Sequence, residues 1–80
     1  MLDKLPKRIW LVYESYNGKD YYKFLSNKGS LLVEKKGNYY MLYFVKKKKK
    51  LVKCFKNISE VVSYLRENGK KVRFTKRLVL

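Results

Sequence analysis

The sequence contains no histidine and a single cysteine, Cys54. Histidine is the usual general base near neutral pH and, with cysteine, the usual ligand of zinc, so zinc fingers and catalysis by serine–histidine or cysteine–histidine pairs are excluded. A lone cysteine cannot form a disulfide within its own chain. This favours a reducing, intracellular setting, the cytoplasm or a host cytoplasm if the protein is viral. Because Cys54 lies in an apolar stretch, we expect a buried thiol that reacts slowly.

Acidic side chains are few, and they form no catalytic or metal-binding pattern. Among the 6 aspartate and glutamate residues, only Asp20 and Glu34, on neighbouring predicted strands, could begin a metal-dependent nuclease site. Such a site needs a cluster of carboxylates around the metal. The glycine-rich loop that cradles phosphates in nucleotide-binding enzymes is absent as well. We therefore expect no enzymatic activity, no cofactor and no small-molecule substrate.

Long apolar segments are also missing. No apolar run approaches the roughly 20 residues that a membrane-spanning helix needs, and the first residues lack the apolar core of a signal peptide. The one helix that the sequence predicts is short, and its polar face is not especially basic, unlike a helix that lies in a membrane interface. The sequence therefore indicates no membrane partner.

Positive charge is the most abundant feature of the chain. There are 21 lysine and arginine residues against 6 acidic ones, a formal net charge of +15. Residues 1–40 carry 8 basic and 4 acidic side chains, a net of +4, whereas residues 41–80 carry 13 and 2, a net of +11. A compact domain with this charge repels itself unless a polyanion neutralises it. Nucleic acid is the polyanion that the composition favours.

The chain has the composition of a folded protein. Hydrophobic residues make up 46% of it and aromatic residues 16%, which is too many for a disordered polycation. Eighty residues suffice for one hydrophobic core, so residues 1–80 are predicted to form a single nucleic-acid-binding domain. A core this small gives little stability, and association into a homodimer would add to it.

Short segments rich in aromatic and β-branched residues alternate with turn sequences in the first half of the chain. The predicted strands are Arg8 to Glu14, Asp20 to Leu25, Ser30 to Lys35 and Tyr39 to Val45. The predicted turns are Asn17-Gly18, Asn27-Lys28-Gly29 and Gly37-Asn38. Asn-Gly between two such segments is the strongest short-range indication of a hairpin. The four strands are therefore predicted to form an antiparallel meander.

The second half of the chain adds a strand, a helix and a final strand. Five lysines, Lys46 to Lys50, form either a hairpin loop or a charged edge before the strand Leu51 to Phe55. Asn57 and Glu60 form a capping box, an apolar stripe follows at helical spacing, and Gly69 ends the helix after about eleven residues. Lys71 to Leu80 is the last strand. The predicted fold is α+β with the order βββββαβ, and its amphipathic helix packs on one face of the sheet.

The fourth strand is apolar on both faces, with Tyr39, Met41, Tyr43 and Val45 on one and Tyr40, Leu42 and Phe44 on the other. One helix can cover only one face of a sheet. The other face must pack on a second copy of the chain, close into a small barrel or meet nucleic-acid bases. We expect it to be buried, most simply in a homodimer.

Basic and aromatic side chains on predicted loops and strand faces are the candidates for nucleic-acid contact. The set comprises Lys46, Lys47, Lys48, Lys49, Lys50, Lys53, Lys71, Arg73, Arg77, Tyr21, Lys23 and Tyr40. Lysines of the loop contact phosphates, arginines of the last strand contact phosphates or guanine, and tyrosines stack on bases. Each group also has a plain structural interpretation, as a solvated loop, an exposed strand face or the filling of a half-buried sheet.

These features favour a non-enzymatic nucleic-acid-binding protein, with DNA preferred over RNA, that regulates transcription or shapes DNA in a virus, plasmid or thermophile. The alternative is an inhibitor or adaptor that binds a nucleoprotein complex of a host. A second alternative is a toxin-like ribonuclease that uses lysine, arginine and tyrosine in place of histidine. The sequence does not separate single-stranded from double-stranded targets.

Overall fold

A computed structural model describes residues 5–25 and 30–78 of the chain. The elements in chain order are β1 (Arg8–Tyr16), β2 (Lys19–Leu25), β3 (Leu31–Lys36), β4 (Tyr39–Val45), β5 (Lys49–Phe55), α1 (Ile58–Glu67) and β6 (Lys71–Leu78). The predicted α+β class and the order βββββαβ are confirmed. β1, β2 and β5 extend one or two residues beyond the segments that the sequence predicted.

The hairpin turns follow from residues that tolerate positive backbone φ angles. Asn17 and Gly18, between β1 and β2, have φ angles of 51° and 73°, the combination that a type I′ turn requires at its two central positions. Gly37, between β3 and β4, has a φ of 61°. The predicted turn at Asn27-Lys28-Gly29 lies outside the described residues.

The strands do not form one continuous meander, and this part of the prediction is wrong. They form two three-stranded sheets, sheet A in the order β2-β1-β6 and sheet B in the order β3-β4-β5. In the described ranges β2 and β3 are in contact but are not hydrogen-bonded neighbours. β6 joins β1 in parallel register, so the last strand extends the first hairpin instead of the preceding strands.

Two contacts hold the start of β6 against the N-terminal segment. The backbone N–H of Lys71 donates to the carbonyl oxygen of Lys7 at 2.8 Å. The Lys70 ammonium is buried and donates to the carbonyl oxygen of Leu5, also at 2.8 Å. A buried ammonium is tolerated only where such an acceptor is present. These bonds fix the register in which β6 lies beside β1.

The hydrophobic core lies between the inner faces of the two sheets, and the helix closes it. Ile9 and Leu11 of β1, Leu42 of β4 and Val61 and Leu65 of α1 are completely buried in one cluster. α1 contacts β6 of sheet A and β4 and β5 of sheet B. The helix therefore does not pack on one face of a single sheet, as predicted. It contacts both sheets and packs with them on a shared core.

The helix begins and ends at the residues that the sequence indicated. The Asn57 Oδ1 accepts from the Glu60 N–H at 3.0 Å, and the Glu60 Oε2 accepts from the N–H of Lys56 at 3.1 Å, one residue earlier than a standard capping box. At the other end Gly69 has a φ of 81°, and the N–H of Lys70 donates to the Leu65 oxygen, as in a Schellman motif. No helix of the described ranges is long and apolar enough to cross a membrane.

Removing the N-cap should destabilise the protein measurably. We expect Asn57→Ala to lower the free energy of unfolding by about 1 kcal/mol, because the Glu60 N–H loses its acceptor. Urea unfolding followed by circular dichroism measures the change. Ser63→Ala, at an exposed position in the middle of the same helix, is the control and should be close to neutral. Equal effects of the two substitutions would show that the cap contributes nothing.

Candidate nucleic-acid interface

The side of sheet A that faces away from the core carries basic and aromatic side chains from all three strands. Its register places Arg8 beside Lys71 and Trp10 beside Arg73, and it places Lys23 beside Val12 and Tyr21 beside Glu14. Paired residues point to the same side of a sheet. This side, defined by Arg8, Trp10, Val12, Glu14, Tyr21, Lys23, Lys71, Arg73 and Thr75, is called the basic face below.

A hollow at one end of the basic face gathers three cations around the only tryptophan of the chain. Arg8, Trp10, Lys71 and Arg73 line this hollow, together with Val72, and its volume is about 380 Å³. Trp10 is 39% exposed, and the Arg73 guanidinium carbon lies 5.5 Å from the centroid of its ring. Such a contact stabilises an exposed pair by roughly 0.5–1 kcal/mol. The hollow therefore offers positive charge and an aromatic surface at one place.

The floor of the basic face is closed by β1, the central strand of sheet A. Val12 and Glu14 are both buried there although they lie on the side away from the core. Tyr21 and Lys23 remain exposed on β2, as do Lys71 and Arg73 on β6. A ligand would therefore meet a continuous floor flanked by exposed rings and cations.

The sequence-predicted candidates Tyr21, Lys23, Lys71 and Arg73 are brought together on the basic face. The sequence placed them in two separate groups because it did not show that β6 pairs with β1. The backbone of Arg77 pairs with Glu14 at the far end of β6, but its side chain lies outside what the structure describes. Arg8 and Trp10 were missed, although the alternation of Trp10 with the apolar Ile9 and Leu11 indicates an outward-facing side chain.

The lysine run is divided between a turn and a strand. Lys46, Lys47 and Lys48 connect β4 to β5, and Lys49 and Lys50 begin β5. All five are exposed. The N–H of Val45 donates to the oxygen of Ser30 at 2.8 Å, which places the turn beside the start of β3.

Lys49 is engaged within sheet B. Its ammonium lies 2.8 Å from the Glu34 carboxylate and 4.5 Å from the centroid of the Tyr43 ring. The hydrogen bond from Lys49 holds the pKa of Glu34 below its usual value, and the same bond raises the pKa of Lys49. Both groups therefore stay charged and paired around neutral pH. Glu34 is occupied by this pair, and no group of three metal-ligating side chains occurs among the described residues.

Tyr40 and Lys53 do not lie on the basic face. Tyr40 packs against the core, with its ring 5.7 Å from that of Tyr22, and it lines a cleft of about 590 Å³ between the two sheets. The Lys53 ammonium lies 5.7 Å from the Phe55 ring and 5.6 Å from the Tyr64 ring, beside the helix. Tyr40 therefore lies between the two sheets and Lys53 lies exposed beside the helix, both away from the basic face.

Cys54 is exposed, contrary to the prediction of a buried thiol. A bulge between Leu42 and Tyr43 shifts the pairing of β5, so that Cys54 lies opposite Met41. In an unbroken register it would lie opposite Tyr40, on the core side. One extra residue moves every later side chain of a strand to the other face. Cys54 consequently faces away from the core.

The exposure of Cys54 predicts ready chemical modification. At protein concentrations too low for two chains to associate, a maleimide reagent should label the native protein about as fast as it labels the urea-unfolded chain, because the exposed thiol is as accessible to the reagent as a thiol of the unfolded chain. The labelled protein should bind nucleic acid with an affinity within about twofold of that of the unlabelled protein, because Cys54 is not part of the basic face. Labelling many times slower in the native protein would show that the thiol is buried after all.

The outer side of sheet B is apolar and partly open. Leu32, Tyr39 and Leu51 are 37%, 51% and 50% exposed there. Tyr43 is buried at the centre, with Lys36 and Lys49 both within cation–π distance of its ring. The face of β4 for which the sequence predicted a partner is therefore uncovered, apart from Tyr43, in the single chain. We call this surface, made of Leu32, Tyr39, Met41, Tyr43, Val45 and Leu51, the apolar face.

Comparison with protein-family models, with curated proteins and with solved structures finds no match to this chain.

Proposed function

We propose that the protein is a non-enzymatic nucleic-acid-binding protein and that the basic face is its binding surface. The observation that carries the proposal is the register of sheet A, which gathers Arg8, Lys23, Lys71 and Arg73 around Trp10. Cations contact phosphates, and aromatic rings and guanidinium groups contact bases. The only carboxylate of the basic face, Glu14, is buried, so the exposed groups on it attract a polyanion.

The lysine turn, Lys46 to Lys48, supports the same function through its charge. All three of its lysines are exposed. Lysine ammonium groups are point charges without a base-reading geometry, so the turn would add affinity and not sequence preference. Specific readout, where it occurs, belongs to Arg73, because a guanidinium can bind guanine bidentately.

DNA is the preferred polymer in this proposal, and the role is regulatory or architectural, as suits a small protein of a virus, plasmid or thermophile. Phosphates and bases occur in both DNA and RNA, and proteins discriminate the two through the 2′-hydroxyl. Side-by-side titration of the two polymers therefore measures the preference directly.

Titration of labelled duplex DNA, single-stranded DNA and RNA at two salt concentrations tests the proposal. We expect binding that weakens steeply with salt, with a slope of about −0.9 per neutralised phosphate for duplex DNA and about −0.7 for single strands. Absence of binding to all three polymers at low salt would overturn the proposal. An acidic surface of a partner protein would then become the better explanation of the charge, as in an inhibitor or adaptor.

The apolar face is proposed to pair with the same face of a second copy. Each chain carries a net charge of +15, so two copies can associate only where their charge is lowest. The apolar face meets this condition because one of its flanking lysines, Lys49, is paired with Glu34. A homodimer of this kind leaves both basic faces free for nucleic acid.

Sedimentation at micromolar concentrations tests the homodimer. We expect the wild-type protein to sediment as a dimer and Leu51→Glu to shift it toward the monomer, because the substitution places a charge in the contact. Lys23→Glu on the basic face is the control and should leave the sedimentation unchanged. A wild-type protein that is monomeric throughout this range would contradict the proposal.

A further inference from the structure

We propose that the basic face is built for single-stranded nucleic acid, with unpaired bases stacked on Trp10 and Tyr21. This inference rests on the proposed function and narrows it to one class of ligand. Trp10 on β1 is 39% exposed and Tyr21 on β2 is 43% exposed. Large aromatic rings on the strands of a small protein are normally more deeply buried. Bases of a duplex are stacked on one another, whereas bases of a single strand are free to stack on aromatic side chains.

The spacing of the two rings fits an extended strand of nucleotides. Trp10 and Glu14 are four residues apart on β1, and Tyr21 lies beside Glu14 on β2. With a rise of about 3.4 Å per residue and about 4.8 Å between strands, the two rings start about 14 Å apart. Lys23 lies between them on β2 and pairs with Val12. The face thus presents a ring, a cation and a second ring in a diagonal row, with Arg73 beside the first ring.

The width of the face argues against the major groove of a duplex. Three strands spaced about 4.8 Å apart are already about 10 Å wide between the outer strand axes, and the side chains add to this. A major groove about 12 Å wide admits a helix or a two-stranded ribbon. The closed floor at Val12 and Glu14 also leaves no ridge that could enter a groove. A single strand can lie flat on such a surface.

The helix offers no alternative way to read a duplex. Its exposed side chains include Glu60 and Glu67 as well as Arg66, and carboxylates repel the phosphates that flank a groove. Val61 and Leu65 hold its opposite side in the core. Groove recognition by a helix would require a basic outer side, which α1 lacks.

Affinity measurements with ring-removing substitutions test the inference. For a single-stranded oligonucleotide we expect Trp10→Leu and Tyr21→Leu each to weaken binding about 5- to 140-fold, the equivalent of roughly 1–3 kcal/mol per stacked base at 1.4 kcal/mol per tenfold. Trp10→Phe keeps a ring and should recover part of the loss. Phe74→Leu is the matched control, because Phe74 is 50% exposed on β6 but belongs to the row of Val72, away from the basic face. It should bind like the wild type.

Tryptophan fluorescence gives a second readout, because Trp10 is the only tryptophan. Stacking on a base should quench its emission during titration with single strands and leave it nearly unchanged with a duplex of equal length. Circular dichroism confirms that each variant is folded.

The outcomes separate this inference from the proposed function. Equal or tighter binding of duplex DNA, together with wild-type affinity of Trp10→Leu and Tyr21→Leu for single strands, overturns the inference. Salt-dependent binding that persists in that case leaves the proposed function intact. Absence of binding to any nucleic acid at low salt overturns both.

Discussion

Replacing Arg8, Lys71 and Arg73 together with glutamine should make nucleic-acid binding much less sensitive to salt. These three cations line the hollow around Trp10. At about 0.7 counterions per phosphate of a single strand, three lost contacts flatten the slope of log affinity against log salt by about 2 units. A tenfold reduction in salt should then increase the affinity of the wild type about a hundredfold more than that of the variant.

The matched control removes the same charge from another place. Lys46, Lys47 and Lys48 are exposed on the turn, and their replacement with glutamine lowers the net charge by the same three units. We expect this variant to lose less affinity than the variant of the basic face, since it keeps Trp10 with its arginine partner. Equal losses in the two variants would mean that binding depends on net charge and not on the basic face.

Leu65→Ala should destabilise the protein by about 2–5 kcal/mol, because the substitution leaves a cavity where the helix meets the core. Leu65 is completely buried in the cluster that joins the two sheets and α1. Small domains are stable by only about 5–15 kcal/mol, so the variant will lie near the limit of folding. Urea unfolding measures the loss, and the midpoint of thermal unfolding should fall in parallel.

Leu51→Ala is the control for this prediction. Leu51 is 50% exposed on β5, so the same truncation should cost well under about 1 kcal/mol at low protein concentration. Similar losses for Leu65→Ala and Leu51→Ala would contradict the position of the helix between the two sheets.

The elements that the sequence predicted correctly are those with local signals. Asn17-Gly18 determines a type I′ hairpin by itself, and the helix is defined within its own residues by Asn57, Glu60 and Gly69. The sheet arrangement has no such signal. β6 pairs with β1, which brings together residues that are far apart in the sequence, such as Arg8 and Lys71. Which strand β6 pairs with depends on how the whole core packs, and no local sequence pattern indicates it.

The candidate site was predictable only strand by strand. Alternation indicates that Lys71 and Arg73 share a face, and likewise Tyr21 and Lys23. Neither pattern shows that these side chains of β6 and β2 lie on one surface, because that depends on the pairing of β6 with β1, which is distant in the sequence. The prediction that Cys54 is buried was wrong for a related reason. A single bulge reverses the alternation of side chains along β5, and the sequence gives no sign of it.

The proposed binding of nucleic acid to the basic face can be located residue by residue by nuclear magnetic resonance. Titration of the labelled protein with a short single-stranded oligonucleotide should shift the amide signals of Trp10, Tyr21 and Arg73, together with the indole N–H signal. Signals of Tyr39 and Leu51 on the apolar face should stay in place. Shifts confined to the apolar face, with the amides of sheet A unchanged, would contradict the account.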